Sequence, residues 1–136
     1  MRNILLIIYL SLTPIFVATA ATDIDSMECV LAKMPSGDRL VKLEELASDK
    51  GQGLDYKYYA DRLLKEAELS KDDTYKGNAL FQIIRYYYSR NIDSMYFFIK
   101  KAEPIYLAQK RYEDLCRIKG WYIYALSSNG EKERVR

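Results

Sequence analysis

Apolar and polar positions alternate with a helical rhythm over most of the chain. In the clearest stretch, Tyr56, Tyr59, Ala60, Leu63, Leu64 and Ala67 recur at helical spacing, while Asp61, Arg62, Lys65, Glu66 and Glu68 fill the other face. That rhythm gathers the apolar groups on one side of an α-helix. The helix opens at Leu54 and ends near Ser70-Lys71, and Asp72-Asp73-Thr74 offers the cap of the next. Upstream, Pro35-Ser36-Gly37-Asp38 is a start signal with Ser36 as cap. Leu40, Leu43, Leu46 and Ala47 follow, and Asp49-Lys50-Gly51-Gln52-Gly53 is the stop. A third helix is expected over 74–89, with Leu80, Phe81, Ile84, Tyr87 and Tyr88 as its stripe and Asn91 as a left-handed stop residue. A fourth covers 92–109 with Met95, Tyr96, Ile99, Ala102, Tyr106 and Leu107; Pro104 inside it predicts a kink or an early end. A fifth covers 112–127 with Leu115, Ile118, Tyr122 and either Leu126 or Ala125, closed by Asn129-Gly130. No segment has the two-residue alternation of a strand, so the pattern predicts an all-α chain of about five helices.

The first twenty residues follow a different rule. Met1-Arg2-Asn3 is followed by an apolar run from Ile4 to Val17, then by Ala18-Thr19-Ala20 and Ala21. This three-part pattern predicts a secretory signal peptide cleaved between Ala20 and Ala21. The run is too short for a membrane span of ~20 residues and contains Pro14, so no stable span is expected in the mature chain. The expected organisation is a signal peptide over 1–20, a lead-in over 21–35 and a helical repeat domain over 36–136.

Composition narrows the chemistry. The chain has 21 Lys and Arg against 19 Asp and Glu, a net charge of +2, which gives no strong pull toward nucleic acid. It has no His, which excludes His-dependent nucleophilic catalysis and His-ligated zinc. No phosphate-cradling glycine loop follows a strand, and the carboxylates fall on polar faces. No enzyme, cofactor or metal is expected. Cys29 and Cys116 would survive in an oxidising compartment, and Cys116 falls toward the apolar side of its helix. The pair is expected to be two separate buried thiols.

The breaks between helices recur at a fixed distance. Gly53-Leu54-Asp55, Asn91-Ile92-Asp93 and Asn129-Gly130-Glu131 lie 38 residues apart, and at the same offset Tyr58-Tyr59 maps onto Tyr96-Phe97, Tyr86 onto Tyr124 and Leu80 onto Ile118. One helix pair per such interval predicts a stacked array of helical hairpins. By that period Glu131 opens the second helix of a third hairpin, which Arg136 leaves incomplete. Leu115, Ile118 and Tyr122 would then be partly uncovered, and self-association through that open hairpin is expected.

Gly120-Trp121 with Tyr124, and Tyr59-Ala60 with Ala67, resemble the tetratricopeptide repeat (TPR) family over residues 36–136. The usual 34-residue period of that family is stretched here, and Pro104 falls too early for its end-of-helix proline. The resemblance implies a short α-solenoid that binds proteins or peptides. The exported, tyrosine-rich character is similar to the periplasmic repeat regions in front of bacterial sensor histidine kinases and related regulators. That similarity implies a periplasmic location in a Gram-negative-type bacterium and a role in signal transduction; the alternative is a free-standing secreted adaptor.

Sixteen aromatic residues lie between Tyr56 and Tyr124. Most are expected at seams between helices, where a ring buries area and a hydroxyl reaches water. Tyr86, Tyr87 and Tyr88 stand 100° apart around their helix, so they cannot share one face. The expected partner-binding residues are Asn78, Arg85 and Tyr86 on the third helix with Arg117 and Tyr124 on the fifth, lining a concave surface. Lys100-Lys101 and the charges after Gly130 are expected to be solvated faces.

Overall fold

The computed structural model describes residues 21–48 and 55–129, the first three as backbone alone. The expected signal peptide and cleavage position, the Gly51-Gln52-Gly53 stop and the third hairpin's second helix lie outside the described residues. Six α-helices are described: α1 Ala21–Lys33, α2 Ser36–Ser48, α3 Asp55–Ser70, α4 Asp73–Tyr87, α5 Ile92–Ala108 and α6 Tyr112–Ser128. No strand occurs among the described residues. The lead-in segment is therefore helical, which its weak apolar periodicity did not announce. It belongs to a separate compact unit from residues 35–136.

Helices α2 to α6 pack in chain order, each against the next. In addition α2 touches α4 and α4 touches α6. One row is thus α2, α4, α6, with α3 laid against the first pair and α5 against the second. The stacked hairpins predicted from the turn spacing have this arrangement. The spacing is less regular than a single period, since α3 and α5 start 37 residues apart while α4 and α6 start 39 apart.

The buried residues are mostly those of the apolar stripes. Leu80 and Ile84 of α4, Met95, Ile99, Ala102 and Tyr106 of α5, and Leu115 and Ile118 of α6 form one cluster. Each fully buried Leu or Ile contributes about 2 kcal/mol of transfer free energy. Leu115 and Ile118 are therefore covered within the described helices, contrary to the open-hairpin expectation, and Tyr122 is half-buried. Glu66, placed by its charge on the polar face of α3, is buried at 7% exposure and accepts from Arg39 Nη1 of α2 at 2.7 Å. An ion pair across the seam compensates its lost hydration.

Helix ends show where local signals succeed and fail. Asp72 caps α4 as expected, its Oδ1 accepting from the backbone N–H groups of Thr74 and Tyr75. Asn91 is extended (φ −155°) and caps the start of α5 through Ser94 N–H at 2.8 Å, so it is not a left-handed stop. Among the described residues the left-handed ones are Lys71 (φ 56°) and Lys110 (φ 57°). At each, the following N–H reaches back five residues, Asp72 to the Ala67 carbonyl at 2.9 Å and Arg111 to the Tyr106 carbonyl at 2.8 Å. Both turns are Schellman motifs with lysine where glycine is usual.

Helix α5 passes through Pro104 to Ala108, so the proline does not end it. Tyr106, two residues beyond, is fully buried and donates its hydroxyl to the Gly77 carbonyl at 2.9 Å. That anchor holds the last turn despite the missing backbone bond. Gly77 makes the close approach possible: a Cβ there would stand 3.1 Å from a ring carbon of Tyr106 and 2.8 Å from Arg111 Nη1. Cys29 and Cys116 are free and exposed, not buried. Cys116 follows buried Leu115, and the 100° step carries it out of the seam.

Candidate aromatic interface

The three consecutive tyrosines at the end of α4, Tyr86 and Tyr87 in its last turn and Tyr88 at its C-cap, fan out to three different helices. Tyr86 meets Tyr56 of α3 edge-on at 5.8 Å, Tyr87 stacks on Phe98 of α5 at 5.6 Å, and Tyr88 lies against Trp121 and Tyr124 of α6 at 5.9 and 6.3 Å. Successive 100° steps around the helix produce this fan.

Between α4 and α6 the rings form a continuous run. Phe81 packs on Trp121 at 5.3 Å, Trp121 on Tyr88, and Tyr88 on Tyr124. The Arg117 guanidinium closes one end over the Phe81 ring at 5.7 Å, while Nη2 also donates to Glu113 Oε1. Tyr124 ends the other, 64% exposed. Beside Tyr124 opens a cleft of about 540 Å³, lined by Tyr88, Ser89, Arg90, Asn91, Ile92, Ala125, Ser128 and Asn129. Beside Phe81 lies a smaller polar hollow of about 180 Å³, bounded by Glu44, Asn78, Gln82, Arg111, Asp114 and Arg117. Asn78 donates there to Glu44, linking α4 to α2, and Gln82 Oε1 is buried without a hydrogen-bond partner.

The five residues expected to share one surface are divided. Asn78 and Arg117 border the polar hollow, and Tyr124 ends the aromatic run. Arg85 and Tyr86 belong to a separate cluster at the α3–α4 seam, where Arg85 lies over Tyr56 at 5.0 Å and Arg90 over Tyr86 at 4.4 Å. Lys57 of α3 stands over Tyr86 and Tyr87 at 5.7 and 5.5 Å and pairs with Asp61. Phe81, Tyr88 and Trp121 had registered in the sequence only as stripe or motif positions, and Lys57 and Arg90 not at all. The i, i+4 spacing of Tyr86 and Arg90 was the available signal for the last.

Outside these faces, Lys100 and Lys101 are exposed as expected but also cover rings, Lys100 over Tyr96 at 5.6 Å and Lys101 over Phe97 at 4.8 Å. Tyr96 and Phe97 are both exposed, whereas Tyr59, aligned with Phe97 by the 38-residue offset, is buried. Among the described residues the surroundings of two groups displace them from their ordinary pKa values. Burial pushes the Tyr106 phenol up, opposed by the weaker pull of the Arg111 charge. The hydrogen bond from Lys119 holds the Glu103 carboxyl below its usual range; desolvation opposes it, and the Lys119 and Lys100 charges reinforce it. Among the described residues no group of His, Cys, Asp and Glu could hold a metal ion, and no helix is long and apolar enough to cross a membrane.

Comparison with protein-family models, curated proteins and solved structures finds no match to this chain.

Proposed function

We propose that this chain is a non-enzymatic, exported helical-repeat module that binds a protein or peptide partner, as the periplasmic sensory or scaffold part of a signalling receptor. The observation that carries the reading is the Phe81–Trp121–Tyr88–Tyr124 run with its exposed end and adjoining cleft. Aromatic rings supply large contact area at small entropic cost, and a groove between stacked helices suits an extended peptide. The signal-peptide pattern of residues 1–20 supports export.

Site-specific photo-crosslinking tests it. A benzophenone amino acid at position 124 should trap a discrete partner in the native host, whereas the same probe at position 65, on the polar face of α3, should not. Equal labelling at both positions, or none at 124, would refute a binding role for this face.

A further inference from the structure

The α3–α4 cluster carries charge that the fold leaves uncompensated. Arg39, Arg111 and Arg117 each hold a carboxylate, those of Glu66, Asp114 and Glu113. Arg85 and Arg90 have no ion-pair partner among the described residues. Lys57 shares the Tyr86 ring with Arg90, and Asp61 is committed to it. Asp55, beside Tyr56 in sequence, pairs with neither arginine. Two unpaired guanidiniums and a lysine thus surround the Tyr56–Tyr86 pair.

Their posture is also informative. Each guanidinium lies over a ring, Arg85 over Tyr56 with its central carbon 5.0 Å from the centroid and Arg90 over Tyr86 at 4.4 Å. A cation–π contact engages the charge of a guanidinium without using up its N–H donors, which still match a carboxylate. One donor of Arg90 is used on the Tyr86 carbonyl at 2.9 Å, which fixes the side chain rather than neutralising it. Ordering two long side chains in advance removes an entropic cost from binding. Arg90 also lines the cleft beside Tyr124, so the charged cluster and the aromatic run meet at the α4–α5 turn.

We propose that Arg85 and Arg90, braced on Tyr56 and Tyr86, dock the side-chain carboxylates of an Asp/Glu-rich segment of a protein partner. This inference rests on the peptide-binding reading and gives it a chemical class. Two guanidiniums held over separate rings favour spaced carboxylates, and the neighbouring rings favour aromatic residues interleaved with them.

Isothermal titration calorimetry on the full-length chain provides the test. The probe is an acetylated and amidated octapeptide alternating Glu and Tyr, so that no terminal carboxylate contributes. The same peptide with Gln for Glu should bind at least about tenfold more weakly, as loss of charge-assisted hydrogen bonds implies. Raising salt well above 0.15 M should weaken the Glu peptide alone. Arg85→Gln and Arg90→Gln should each reduce its affinity about tenfold. Arg90→Lys, which keeps the charge but not the guanidinium donors, should fall between native and Arg90→Gln, and Lys65→Gln should retain full affinity, with circular dichroism confirming that each variant folds. Equal affinity for the Glu and Gln peptides would overturn the carboxylate assignment while leaving the peptide-binding reading intact. Binding to phosphatidylglycerol vesicles but not to the peptide would overturn it in favour of a lipid surface. If neither binds, the assignment falls, and crosslinking at position 124 decides the broader reading separately.

Discussion

Tyr106 does at one position what its helix cannot do through the backbone. It follows Pro104, sits fully buried, and ties α5 to α4 through the Gly77 carbonyl. Replacing Tyr106 by Phe keeps the ring and removes the bond, so it should cost about 1 kcal/mol in urea unfolding. The ring was legible in the sequence as a stripe position. Its hydroxyl's partner was not, because a backbone carbonyl twenty-nine residues away leaves no local trace. Gly77 was hidden for the same reason, since its role is the space it leaves for Tyr106 and Arg111. Glu66 was misplaced because charge was read without the Arg39 that answers it.

At the scale of elements, the helices were legible and their ends only partly so. Apolar spacing located α2 to α6 within a few residues, and Asp72 was readable as a cap because side-chain capping is local. Asn91 is expected as a left-handed stop but caps a helix start, and the left-handed role falls to Lys71 and Lys110, to which the sequence assigns none. Asparagine serves both as a start and as a left-handed stop, and only backbone geometry separates the two uses. Lysine is not an expected left-handed residue, yet the back-reaching bonds of Asp72 and Arg111 impose that conformation at Lys71 and Lys110. Lys71→Gly and Lys110→Gly should therefore each raise the unfolding midpoint, by about 0.5 kcal/mol after the added entropy of the unfolded chain. Asn91→Ala should lower it by about 1 kcal/mol. At the candidate site, sequence found Arg85, Tyr86, Arg117 and Tyr124 as residue types, but not that two of them face α3 rather than α6. A one-residue step in helix phase decides that.

At the scale of the whole molecule, the α5–α6 hairpin is tied by Lys119 to Glu103, with Lys100 on the same carboxylate. Because the folded-state pKa of Glu103 lies below the ordinary value of 4.5, this contribution is complete above that value and is lost as pH falls through the lowered one. Unfolding midpoints from about pH 6 to about pH 3 should decline more steeply in the native chain than in Glu103→Gln. The difference should be near 0.5 kcal/mol, since the pair is partly solvated.

The chain contains a single tryptophan and 13 tyrosines, and Trp121 stands in the middle of the run between α4 and α6. All intrinsic indole emission therefore originates at one seam, and tyrosines stacked around it pass their excitation to that seam. A molecule entering the groove would change the wavelength and lifetime of that emission without any dye. The molecule thus carries its own optical reporter at the groove proposed to take the partner.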